Sequence, residues 1–150
     1  MIITRATEYS IRAVLHLAER HPTPVVSKQE ICESAGVTPA FLTKILQPLI
    51  RGGIVRSKRG VAGGFSLARD PEKLTLLDVM RAAEEPLTLN LCLITEHACE
   101  RNCTCPVHDL WSEAREHMEE VFSRRSLADL ARERTARISA GAPRNPPSTH

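Results

Sequence analysis

Residues 27–69 read SKQEICESAGVTPAFLTKILQPLIRGGIVRSKRGVAGGFSLAR, and this stretch decides the fold. Ser27-Lys28-Gln29-Glu30 has the form of a capping box and predicts a helix running to about Ala35, where Gly36 stops it. Thr38 then serves as N-cap, with Pro39 at the first helical position, where a missing N–H costs nothing. The helix that follows carries Phe41, Leu42, Ile45, Leu46 and Leu49 on one inward stripe. Pro48 is expected to bend or end it, because its ring nitrogen cannot donate back to Lys44. After Arg51-Gly52-Gly53, two short strands, Ile54 to Lys58 and Phe65 to Arg69, flank a glycine-rich turn. Two short helices joined by a tight turn and followed by a basic hairpin make a winged helix-turn-helix.

Outward from this centre, residues 4–20 form an amphipathic pattern with Ala6, Tyr9, Ala13, Val14, Leu17 and Ala18 at helical spacing, broken by HPTP at 21–24. Thr75 and Asp78 open another short helix, to about Ala83, before Glu84-Glu85-Pro86. From Pro106 a long helix places Val107, Leu110, Trp111, Ala114, Met118, Val121 and Phe122 on one face. Such a stripe beyond the compact part needs a cover, and a second copy of the chain is the expected one; a core helix of a monomer is the plainer alternative. Ser126 begins a last short turn. The fold class is therefore mainly α with a small β-hairpin wing, divided as a DNA-binding unit over 1–83, a cysteine-rich loop over 84–105, a dimerisation helix and C-terminal turn over 106–139, and a disordered tail over 140–150.

Composition agrees. Hydrophobic residues make up 42% of the 150 and aromatics only 3%, so the core must be built from Leu, Ile, Val and Ala. The opening MIITRATEYSIRAVLHLAER is interrupted by Arg5, Glu8, Arg12 and Glu19, which fits neither a signal peptide nor a membrane span and points to the cytoplasm. The net charge of +2 conceals an asymmetry: residues 1–69 hold ten Lys/Arg against four Asp/Glu, and the remainder ten against fourteen. A basic front half suits a polyanion such as double-stranded DNA. In a helix-turn-helix the second helix enters the major groove by its N-terminal end, which here offers Thr38, Pro39, Ala40, Thr43 and Lys44. The wing supplies Arg56, Lys58 and Arg59, with Gly60, Gly63 and Gly64 allowing close approach of the backbone. An arginine at a wing tip suits a narrow minor groove.

Four of the five cysteines and two of the six histidines lie in CLITEHACERNCTCPVH, residues 92–108. In a reducing compartment such clustering favours a metal or redox site over disulfides. Structural zinc sites prefer paired Cys-x-x-Cys knuckles, which this loop lacks, so an iron–sulfur cluster fits better; zinc and a thiol switch stay open. A thiol oxidoreductase is disfavoured: no Cys-x-x-Cys sits in a strand–helix unit, and no nucleophile–base set accompanies it. Cys32, inside the second helix, reads as a small buried apolar residue, and His97 as a solvated one.

The segments YSIRAVLHLA and ICESAGVTPAFLTKILQPLIRGGIVRSKRGVAGGFSLARDP, followed by a cysteine loop ahead of a helix, resemble the IscR/NsrR family of bacterial regulators over roughly residues 1–130. RSKRG-x-x-GGFSLAR is the most specific part. The resemblance implies a homodimeric winged helix-turn-helix regulator of transcription, not an enzyme, in many members carrying an iron–sulfur cluster. It implies Cys92, Cys99 and Cys105 as ligands, with Cys103 as a possible substitute, although the first gap is one residue longer than the usual spacing. The fourth ligand would be His108, implying 2Fe–2S, or Glu8 of the partner subunit, as in members resembling nitric oxide sensors; 4Fe–4S is also compatible. A further family variant has a histidine one turn after the acid, and here that position is Arg12.

Overall fold

Every long helix of the front half starts on a hydroxyl. The side chains of Thr4, Ser27, Thr38 and Thr75 accept from the backbone N–H groups of Thr7, Glu30, Phe41 and Asp78, each satisfying one donor the helix cannot. The computed structural model describes residues 3–23, 25–83, 89–94, 99–100 and 104–141. Within these the order is α1 (Arg5–Glu19), α2 (Lys28–Ala35), α3 (Pro39–Arg51), β1 (Val55–Lys58), β2 (Gly64–Leu67), α4 (Leu76–Ala82), α5 (Pro106–Ser123) and α6 (Leu127–Ser139). Mostly helical with a two-stranded antiparallel hairpin, the fold is the expected one. Residues 84–86, His97, Cys103 and the tail beyond 141 lie outside the described residues.

α3 continues past Pro48 to Arg51, at the Arg51-Gly52-Gly53 stop. One backbone hydrogen bond is lost at Pro48, but the buried Ile45, Leu46 and Leu49 hold the last turn in the core. Three departures from the sequence reading have physical reasons. The Ser27 box is only half made: the Glu30 carboxylate turns away to accept from Arg20 at 2.6 Å and lies 3.0 Å from His16 Nε2. On α1 the buried face includes Thr7, Ser10 and His16, whereas Ala6 is exposed. Periodicity misses the three because they are polar. The last turn expected from Ser126 is instead a helix of 13 residues, opened by a complete capping box between Ser126 and Asp129.

That helix belongs to the same core as the front half. Leu127 and Ala131 of α6 join Ala13, Val14 and Leu17 of α1, Ile31 and Ala35 of α2, and the α3 stripe in one cluster. The core is aliphatic, as the scarcity of aromatics requires, and Cys32 is buried in it. The hairpin pairs Val55 with Leu67 through Lys58 with Gly64, and Ala68 N–H extends the pairing to the Ile54 carbonyl at 2.9 Å. The wing is then fastened to the body by a reciprocal bridge, Val26 N–H to Phe65 O at 2.8 Å and Phe65 N–H to Val26 O at 2.9 Å. Gly64 makes this possible: a Cβ there would lie 2.1 Å from the Val26 carbonyl. Gly64→Ala is therefore expected to lower stability by roughly 1–3 kcal/mol, the range for forced overpacking, read as a drop in the urea midpoint.

Candidate functional site

The outward face of the helix-turn-helix follows from what its inward face buries. With Leu42, Ile45, Leu46 and Leu49 turned in, Thr38, Pro39, Ala40, Thr43 and Lys44 are all exposed at the N-terminal end of α3. The turn before it closes at Gly36 (φ 73), with the Gly36 and Val37 N–H groups both donating to the Cys32 carbonyl. Thr38 spends its hydroxyl on the Phe41 N–H at 3.3 Å. Thr43 is more constrained: its hydroxyl donates to the Pro39 carbonyl at 2.9 Å and accepts from Lys28 Nζ at 2.7 Å. Lys28 is thus brought onto the outward face of α3, although in the sequence it reads only as part of a cap.

On the wing, Arg56, Lys58 and Arg59 are exposed. Arg56 bonds loosely to the Leu67 carbonyl at 3.4 Å. Gly60 takes φ 111, a backbone most residues avoid. The close approaches that Gly63 and Gly64 permit are to the protein's own backbone: a Cβ on Gly63 would sit 2.4 Å from the Lys58 carbonyl.

A polar network holds the helix-turn-helix against α1. Buried His16 lies between Glu30 of α2 and Glu19, 3.5 Å away, and Glu19 in turn accepts from Arg134 of α6 at 2.8 Å. Burial pushes the Glu30 carboxyl up, but hydrogen bonds from Arg20 and His16 prevail and hold it below the ordinary carboxylate value of 4.5. Sequence periodicity gives no sign of this network.

The cysteine stretch is described in part. Cys92 lies on a short 3-10 turn, Leu91–Leu93, tied to α5 by Arg115 donating to the Leu93 carbonyl at 3.4 Å. Cys105 is the N-cap of α5, and the His108 N–H donates to its carbonyl at 3.1 Å, so the two stand one turn apart. Cys92, Cys99 and Cys105 are half-buried free thiols. Among the described residues, His108 Nδ1 is buried without a hydrogen-bond partner, as is Glu19 Oε1, and buried polar atoms rarely stay unpaired. Thiolates and an imidazole are the donors that iron–sulfur clusters take, so the donor set fits. Its geometry is not assembled: among the described residues no three His, Cys, Asp or Glu side chains gather as a metal-binding group. Glu8 is exposed and paired with Arg12, whose guanidinium lies 5.0 Å from the Tyr9 ring centre. Tyr9 meets Phe41 edge-on at 5.7 Å, so the contacts of Glu8 lead to α3.

α5 has no fully buried residue. Met118 and Phe122 pack on Leu77 and Met80 of α4, and Arg81 bonds Glu119 at 2.7 Å. Val107, Leu110, Trp111 and Val121 remain exposed, Leu110 at 60%. No helix among the described residues is long and apolar enough to cross a membrane.

Known proteins are similar to this chain in sequence and fold. Protein rrf2 of Nitratidesulfovibrio vulgaris is 28% identical over 150 residues, covering all of both chains. The structure of CymR, the global cysteine regulator of B. subtilis, is 27% identical with a TM-score of 0.71, covering 89% of this chain and 98% of that one. T. potens IscR matches with a TM-score of 0.72 at 23% identity, covering 97% and 94%, a likeness of fold. Residues 3–133 match the Rrf2 family, described as iron-dependent transcriptional regulator. With the helix-turn-helix, the wing and the cysteine stretch all inside that span, the chain belongs to the Rrf2 family of DNA-binding transcription regulators, which are not enzymes.

Proposed function

We propose that this regulator is a cytoplasmic homodimer whose affinity for operator DNA is set by an iron–sulfur cluster, 2Fe–2S in preference to 4Fe–4S, sensing redox, nitric oxide or iron–sulfur status. The observation that carries it is the buried Nδ1 of His108, one turn from Cys105 and unpartnered among the described residues. Cys92, Cys99 and Cys105 would hold the cluster, with His108 favoured over the partner's Glu8 because Glu8 already pairs with Arg12. When bound, the cluster would supply a centre that changes charge on oxidation or reaction with nitric oxide. The described residues gather no three-ligand group, and CymR is a relative, which supports one second reading: a loop holding structural zinc, or a thiol switch, without a cluster. The exposed apolar residues of α5 support pairing with a second copy. Thr38, Pro39, Ala40, Thr43 and Lys44 would meet the major groove, and Arg56, Lys58 and Arg59, on a turn shaped by Gly60, Gly63 and Gly64, the backbone or minor groove.

Anaerobic purification tests the cluster. A brown protein with visible absorption and matching iron and sulfide is expected, lost in Cys92→Ser, Cys99→Ser or Cys105→Ser, kept in Cys103→Ser and spectrally shifted in His108→Ala. A colourless protein with stoichiometric zinc would instead establish the second reading. For the dimer, Leu110→Asp combined with Trp111→Asp should halve the mass in sedimentation, and an unchanged mass would place the interface elsewhere. At the wing, Arg59→Ala should weaken operator binding and lower the slope of log affinity against log salt by about 0.9, one phosphate contact. An unaltered slope would take Arg59 off the backbone.

A further inference from the structure

The hydroxyl of Thr43 is already committed before DNA arrives. A threonine hydroxyl has one hydrogen and two lone pairs. The hydrogen goes to the Pro39 carbonyl, 2.9 Å away, and one lone pair takes a hydrogen from Lys28 Nζ at 2.7 Å. What Thr43 can still present is its methyl group and a single acceptor position. Ala40, exposed one turn earlier, adds a second methyl on the same face of α3.

We infer that the Pro39 carbonyl, by taking the hydroxyl's hydrogen while Lys28 fills one lone pair, converts Thr43 from a hydrogen-bond donor into an apolar reader, so that Thr43 selects an A·T pair through the thymine methyl. The inference rests on reading α3 as the helix in the major groove. A donor hydroxyl could pair with O6 or N7 of guanine; this one has no hydrogen left to give. An A·T pair offers what remains usable on both strands, the C5 methyl of thymine and the N6 amino group of adenine, and a G·C pair has no methyl. Lys28 is a positioning residue for this contact, and two of its three ammonium hydrogens are left over from the Thr43 bond, enough to meet a phosphate.

The test uses the full chain in the form that binds DNA. Selection from a random duplex library defines the bound sequence, and each thymine is then replaced by deoxyuridine, which removes only the methyl. At one thymine per half-site, affinity measured by fluorescence anisotropy should fall about fourfold, the worth of one buried methyl. Thr43→Val, keeping the methyl, should retain this sensitivity to uracil, and Thr43→Ser should abolish it. Lys28→Met frees a lone pair but leaves the hydroxyl's hydrogen on the Pro39 carbonyl, so A·T should stay preferred over G·C at that step while overall affinity falls. The inference is overturned if no thymine senses the uracil substitution, if Ser keeps the sensitivity and Val loses it, or if Lys28→Met shifts the preference to G·C. Lys44→Ala and Arg59→Ala separate the two levels: if both leave affinity intact, or if no sequence is selected, it is the placement of α3 and the wing on DNA that fails.

Discussion

Everything in this molecule depends on α3 having two solvents. Leu42, Ile45, Leu46 and Leu49 are almost fully removed from water, and Ala40, Thr43, Lys44 and Gln47 on the other side are exposed. Burial of four branched aliphatic side chains, at roughly 1.5–3 kcal/mol each, far exceeds what the lost hydrogen bond at Pro48 costs. The rotation of α3 about its own axis is therefore dictated by the core. Which residues face outward is a consequence of which residues cannot.

The same economy governs the surroundings of α3. α1 supplies the aliphatic floor and also buried His16, whose two nitrogens face carboxylates of α1 and α2. Since Arg134 of α6 bonds Glu19, the C-terminal helix closes this polar seam from the far side. The wing depends on backbone pairing more than on side chains: two hydrogen bonds between Val26 and Phe65 tie it to the segment just before α2. Helix-turn-helix and wing thus share one anchor.

Much of this was legible in the residues because local chemistry and tertiary demand agree. Thr38-Pro39, Gly36 and the spacing of Leu42 to Leu49 specify α3 almost completely, and the hairpin registers within two residues of the strands expected. Contacts that join distant polar groups were not legible. Glu30 has the position of a capping residue and the role of a partner for His16 and Arg20. Lys28 has the position of a helix start and the role of a contact to Thr43, 15 residues on. α6 is longer than its apolar spacing suggests, because charged residues interrupt that spacing and only Leu127, Ala128 and Ala131 are buried. In the cysteine stretch the ligand types could be named, but their assembly could not, since thiols in an irregular loop carry no periodicity.

One joint has a mechanical consequence. The capping boxes that open α4 and α6 stand side by side, with Thr75 bridged to Ser126 and the Leu127 N–H donating to the Leu74 carbonyl at 2.7 Å. α5 ends two residues before this joint, and its packing on α4 through Met118 and Phe122 lies in the half nearest to it. The helix thus reaches from this joint at its C-terminal end to Cys105 and His108 at the other, where Arg115 ties it to the Cys92 turn. An 18-residue helix is roughly 27 Å long, so a tilt of about 10° at the joint sweeps the far end through about 5 Å. By this geometry alone, a small rotation beside Thr75 and Ser126, next to the helix-turn-helix, would be magnified at Cys105, and a displacement of Cys105 would be geared down to a fine rotation there.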